Sequence, residues 1–332
     1  MSRRPAHKWK TVNGRTRMAI GLVTAGAIAV VAVGVSSAST VRPGQSPAPA
    51  GTPTSGAATT AHHPFGLGAL PDKDATRASA LRSAAEPRVE SLAPQAVGSP
   101  SKSKKTKKKS QAVPASFSLA KYAATPGNQG QVGSCVAWAV DYSAYSVLEH
   151  EQGVTGGPQA PMYTYSQIVQ GRNVGTTPED NLRIAMSQGV DAQSDYRQGN
   201  YDYTDLPTSA ERANAANWKL SGYTPLHTGS RIKADVEAAV AAGEPVAISI
   251  PVYNDFFSLT PQQAASYAYY PNTGSGYAGG HEITVVGYTS KGVRVENSWG
   301  TGWGDHGYIN LSWSYLANQV DEANAIGKLV QD

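Results

Sequence analysis

The chain reads as an α+β protein of two lobes, a helical first lobe and a strand-rich second lobe, with a cleft between them. Two patterns carry this reading. Behind Cys135, the residues Val136, Val140, Ala144 and Leu148 recur at four-residue steps, the spacing of one buried helix face. Beyond Gly243 the pattern changes to short runs rich in Val and Ile, beginning with Val246-Ala247-Ile248-Ser249-Ile250.

Taken in order, residues 1–17 are polar and basic, and residues 18–35 are 18 apolar or small residues without charge. This is an export segment, long for a signal-peptide core and short for a comfortable span, so cleavage after Ser36-Ser37-Ala38 and retention as an anchor are both open over residues 1–38. Basic residues ahead of it predict that the rest of the chain is translocated, so it is expected to be secreted or held outside the cell by a membrane anchor. Residues 39–111 are rich in Ala, Pro, Ser, Gly and Thr, hold nine of the 21 prolines, and lack core-forming periodicity. This stretch is a disordered linker or a pro-segment. It ends in a run with six lysines between Lys102 and Lys109. That run reads as a solvated spacer, a maturation site, a pro-segment contact with the acidic remainder, or an attraction to anionic cell-wall polymers or a membrane surface.

A folded domain is expected over residues 112–332. Ser134 can cap the helix that opens at Cys135 and stops near Gly153. A second helix is signalled by Thr177-Pro178-Glu179-Asp180, with a cap, a proline at the first position and acids in the first turn, and it ends at Gly189. A third covers 232–242. Strands over 246–250, 283–288, 293–296 and 308–313 then place His281 and Asn297 at strand ends facing the Cys135 helix.

Charge divides the chain. Residues 1–110 hold 17 Lys and Arg against 4 Asp and Glu, leaving 11 against 20 in 111–332, so the overall +4 conceals halves of +13 and −9. A translocated chain makes nucleic acid an unsuitable partner. Cys135 is the only cysteine, so an intramolecular disulfide is excluded and stability must come from the core.

The same cysteine carries the chemistry. A thiol attacks carbonyls as the thiolate, and with a free pKa of about 8.5 it needs a base and a favourable field. A helix N-terminus supplies the field, and a histidine within reach supplies the base. His281, in Gly279-Gly280-His281-Glu282-Ile283, is that candidate, because His7, His62, His63, His150, His227 and His306 have no motif around them and read as surface or linker residues. Asn297, in Glu296-Asn297-Ser298-Trp299-Gly300, can fix the tautomer of His281. Gln129 and the Cys135 backbone N–H are candidate donors to the oxyanion of acyl transfer. Glu282 should point to the opposite strand face, as a structural or surface residue.

Gln129 six positions before Cys135, Asn297 16 positions after His281, and 146 positions from Cys135 to His281 together resemble the papain-like cysteine peptidases of bacterial secreted type. The resemblance covers about two thirds of the chain. It implies a papain-like two-lobe fold with a barrel-like second lobe. It also implies substrate contacts from Gly133 and Gly175 on the nonprimed side, and from Gly280 and Trp299 on the leaving-group side. The chain departs from the family in two places: Val132 stands where another cysteine is common, and Val136 where a tryptophan is common, with Trp138 two positions on. The helical pro-segment pattern of many family zymogens is not visible.

The expected activity is that of an exported cysteine endopeptidase acting on proteins or peptides as a monomer. A Cys135 thiolate and a His281 imidazolium would form a thioester, with Asn297 orienting His281 and Gln129 in the oxyanion hole. No cofactor or metal is called for. The same residues suit peptide ligation, amide transfer or cell-wall peptide hydrolysis, and a noncatalytic surface protein that binds peptides is the alternative outside catalysis.

Overall fold

The computed structural model describes residues 63–71 and 113–330, all within one compact unit spanning residues 60–332. The expectations for residues 1–38, and the lysine run from Lys102 to Lys109, lie outside the described residues. Among the described residues no helix is long and apolar enough to cross a membrane.

The helix that begins at Cys135 runs as α-helix over Cys135–Ala137, widens into a π segment over Trp138–Ala144, and resumes as α-helix over Tyr145–Gln152. Every residue from Cys135 to Glu149 is buried, so this is a central helix, apolar on most sides. Gly153 closes it in the left-handed conformation at φ +70°. Ser134 does not cap it. Its φ and ψ of −109° and 19° are not those of an extended cap residue, and its hydroxyl has no partner among the described residues.

The wide turns of the π segment bring polar groups to both lobes. Asp141 accepts hydrogen bonds from Thr164 and from Asn181 Nδ2 (2.8 Å), within the first lobe. Ser143 Oγ donates to Glu296 Oε1 at 2.9 Å, and Thr284 Oγ1 donates to the Ala139 carbonyl at 2.7 Å. These last two bonds dock the second lobe onto the helix, through residues one and three positions from Asn297 and His281. Burial pushes the Glu296 carboxyl up to about 8, so it is protonated at neutral pH.

The first lobe is completed by helices Pro161–Val169, Pro178–Ser187 and Ser209–Ala215. Thr177 caps the second of these by accepting from the Asp180 N–H, as its sequence signals. The second lobe is a seven-stranded sheet, all pairs antiparallel: β1 (Phe117–Ser118), β2 (Tyr223–Pro225), β3 (Val246–Tyr253), β4 (Tyr277–Thr289), β5 (Gly292–Glu296), β6 (Tyr308–Ser312) and β7 (Glu322–Ile326). The order is β2-β7-β3-β4-β5-β6, with β1 pairing β4 off that path. The helix Ile232–Ala241 packs against β3 and β4, burying Val236 and Val240 with Ile248, Ile250 and Val285.

Several elements differ from their sequence signals. β4 begins six residues before Ile283, because Gly279 and Gly280 pair with Val252 and Pro251 of β3. His281 therefore sits inside a strand, whereas Asn297 follows the last residue of β5. β6 ends at Ser312, which caps the helix Trp313–Gln319. His227 is buried, not a surface residue: its ring Nδ1 and its backbone N–H both meet Asp235 Oδ2, at 2.7 and 2.9 Å. Glu282 is buried as well, since β3 covers it and Ser249 Oγ hydrogen-bonds to it.

Candidate active site

The sequence-predicted residues converge on the N-terminus of the central helix. Cys135 is fully buried, and its Sγ lies against the backbone N–H groups of Glu282, Val136 and Ala69. His281, on β4 beside Glu282, bonds through Nε2 to Asn297 Oδ1 at 2.7 Å. Its Nδ1 has no hydrogen-bond partner among the described residues. The same Asn297 oxygen accepts from the Ser298 N–H at 2.7 Å, which locks the amide in place. Trp299 stacks on the imidazole, with centroids 4.6 Å apart and planes 27° apart, and shields the His281–Asn297 bond from water.

Gln129 is held by the block that follows Asn297. Ser298 Oγ donates to Gln129 Oε1 at 2.6 Å, and the Gln129 N–H donates to the Ser298 carbonyl at 2.8 Å. Gln129 Nε2 donates to Val132 O at 2.8 Å, which engages one of its two amide hydrogens. Behind this loop, Trp138 fills the space left by Gly127, where a Cβ would lie 2.0 Å from the indole. Val136 packs directly against Cys135.

Residues 63–71 form a strap across this site, which sequence reasoning did not place. From the first lobe, Gly130 O accepts from the Gly66 N–H (2.7 Å), Thr176 N–H donates to Gly68 O (2.8 Å), and Thr176 O accepts from the Leu70 N–H (2.9 Å). From the second, Gly280 O accepts from the N–H groups of Gly68 and Ala69 (both 3.1 Å), and Trp299 Nε1 donates to Gly66 O (3.1 Å). Gly133, Gly175, Gly280 and Trp299 all line the strap. The approach is so close that Cβ atoms at Gly66 and Gly68 would lie 2.3 and 2.1 Å from the carbonyl oxygens of Val132 and Gly133. Asn173 supports this floor, its Oδ1 accepting from the Gly133 N–H (2.8 Å) and from the Tyr165 hydroxyl (3.0 Å).

Burial sets the electrostatics, and the strap is part of what buries the site. With Ala69 packed over it, the Cys135 thiol is pushed up to about 12, chiefly by burial, with the Glu282 N–H pulling the other way. Burial also pushes His281 down to about 4, against the Asn297 hydrogen bond. Both shifts favour a neutral thiol beside a neutral imidazole. The ion pair expected from the sequence is therefore disfavoured while the strap is in place. Two unused signals could have marked the strap: Phe65 is one of only four phenylalanines, and Gly66-Leu67-Gly68 alternates glycine with an apolar residue inside a polar, proline-rich stretch. Among the described residues no cluster of His, Cys, Asp and Glu could hold a metal ion.

Comparison with known proteins bears on the family and the fold. The chain is 34 % identical over 197 residues to a cathepsin L-like proteinase of Fasciola hepatica, covering 56 % of this chain and 55 % of that protein. It is 30 % identical over 205 residues to digestive cysteine proteinase 2 of Homarus americanus, covering 58 % and 59 %. The chain thus spans little more than half the length of either relative. Its fold is similar to that of xylellain, a cysteine protease from Xylella fastidiosa, with a TM-score of 0.63 and 20 % identity over 81 % of this chain and 98 % of that one. It is also similar to proCathepsin B S9 from Trypanosoma congolense, with a TM-score of 0.54 and 18 % identity over 67 % and 80 %. At these identities the structural likeness is one of fold. The family model described as papain family cysteine protease matches residues 113–325, and the chain belongs to that family.

Proposed function

We propose that the chain is an exported cysteine endopeptidase held latent by its own strap. The observation that carries this reading is the alignment of Cys135, His281 and Asn297 beneath a peptide that both lobes grip. Residues 1–38 direct export, residues 39–111 act as the pro-segment, and residues 112–332 are the peptidase domain.

With Nε2 engaged by Asn297, Nδ1 of His281 is the nitrogen left to take the thiol proton. Once the strap leaves, water and the helix N-terminus favour a thiolate beside an imidazolium. The thiolate attacks the substrate carbonyl carbon, and the oxyanion is held by the free amide hydrogen of Gln129 and by the Cys135 N–H. The intermediate collapses to a thioester as His281 gives its proton to the leaving amine. His281 then deprotonates a water that attacks the thioester, releasing the acid product and restoring the thiol.

Strap polarity explains its survival. Its N-terminal end lies at Trp299, the leaving-group side, and its C-terminal end at Thr176 on the other side. What faces Sγ is the Ala69 N–H, not a carbonyl carbon. The test is turnover of a mixed peptide library by the full chain carrying Gly68→Val, whose side chain cannot fit against Gly133. Cleavage is expected, and it should be abolished by adding Cys135→Ala or His281→Ala and unaffected by chelators. Full cleavage with Cys135→Ala would sink the scheme.

A further inference from the structure

We propose that Phe257 determines specificity: with Trp299 it forms an aromatic slot, on the leaving-group side of Cys135, that selects peptides carrying an aromatic side chain there. This inference rests on the peptidase reading above.

The slot is built by a local turn. β3 ends at Tyr253, and a 3₁₀ turn over Asn254–Ser258 sends two adjacent phenylalanines in different directions. Phe256 is fully buried, packs edge-on against Trp299 and next to Trp303, and its carbonyl accepts the Trp303 indole N–H at 3.2 Å. Phe257 is left half-buried at the cleft, stacked on Trp299 with centroids 5.2 Å apart and planes 22° apart.

The strap displays what this wall accepts. Phe65 stacks on Trp299 (4.9 Å, 8°), and His63 stacks on Phe257 (4.9 Å, 17°), while Pro64 between them faces solvent. Residues 64 and 65 form a bend, and the rings on either side of Pro64 both meet the wall. Flat, nearly parallel ring faces complement planar side chains better than branched aliphatic ones. The strap runs opposite to the proposed substrate direction, but the slot is a property of the wall. Departure of the strap uncovers faces of both Trp299 and Phe257, which the substrate then covers.

Two readouts test this in the full chain carrying Gly68→Val. In the first, internally quenched peptides differ only in having Phe or Ala on the leaving-group side. The Phe peptide is expected to show at least a tenfold higher kcat/KM. Phe257→Ala should reduce that ratio to within about twofold, and Phe257→Tyr should restore it. In the second, Cys135→Ala is added, and equilibrium binding of a synthetic peptide of residues 63–71 is compared with its Phe65→Ala counterpart. The native peptide is expected to bind at least tenfold tighter, and Phe257→Ala should erase the difference. A ratio that survives Phe257→Ala in either readout, or no preference for the aromatic peptide, overturns the proposal. Ring-dependent binding without any turnover upholds the slot and removes the peptidase reading instead.

Discussion

His281 is the residue on which the site turns, because each of its contacts limits what it can do. Asn297 takes Nε2, Trp299 covers one ring face, and the strap excludes water. An imidazole oriented this way has one productive proton route, through Nδ1. Asn297→Ala should therefore lower turnover without abolishing it, since the base remains but its tautomer and angle are no longer fixed. In the proposed mechanism Gln129 acts on the transition state. Gln129→Ala in the strap-opened chain should lower kcat by about ten- to a thousandfold with little change in KM. A change confined to KM would assign Gln129 to ground-state binding. Both residues were legible in the sequence because their neighbours are fixed by chemistry: Ser298 serves Gln129, and Asn297 serves His281. The supports Asn173, Tyr165 and Phe257 were not, since a polar or aromatic residue far along the chain carries no mark of what it will touch.

At the scale of elements, the central helix is joined to β4 through Thr284 and to β5 through Glu296, bonds that hold the strand of His281 and the strand ahead of Asn297 against the helix of Cys135. The same burial leaves Glu149, on the last α-helical stretch, with neither carboxyl oxygen partnered among the described residues, and its carboxyl is pushed up to about 8. It lies against Gly157, the one residue type that leaves room for it. A folded-state value above the unfolded one means that the folded chain holds the proton more tightly. Its contribution is thus fully present below about pH 4.5 and is lost as pH rises toward 8. Glu149→Gln cannot ionise, so its melting temperature should exceed that of the native chain by a margin that widens from pH 5 to 8, worth at most a few kcal/mol. Parallel curves would mean that Glu149 finds a partner when ionised. Other elements escaped the sequence for different reasons. A four-residue repeat marks a buried helix face without separating α from π geometry. β1 has two residues, too short for periodicity, and β7, Glu-Ala-Asn-Ala-Ile, has a single β-branched residue, Ile326, at its end and owes its form to pairing with β2 and β3.

At the scale of the molecule, a segment more than sixty residues before Cys135 in sequence lies over it in space. Composition hid this, because a strap held by backbone hydrogen bonds needs no apolar periodicity, only glycines where the floor is close and a few rings where the wall is flat. In the proposed function this strap keeps an otherwise reactive thiol neutral. The direct measurement is the rate at which iodoacetamide labels Cys135 near pH 7, read by intact mass, where a sole cysteine makes the adduct unambiguous. The full chain should label slowly, and Gly68→Val, or Phe65→Ala as a gentler opening of the strap, should label about a hundredfold faster as the thiolate becomes populated. Equal rates in all three would contradict the claim that the strap governs the thiol.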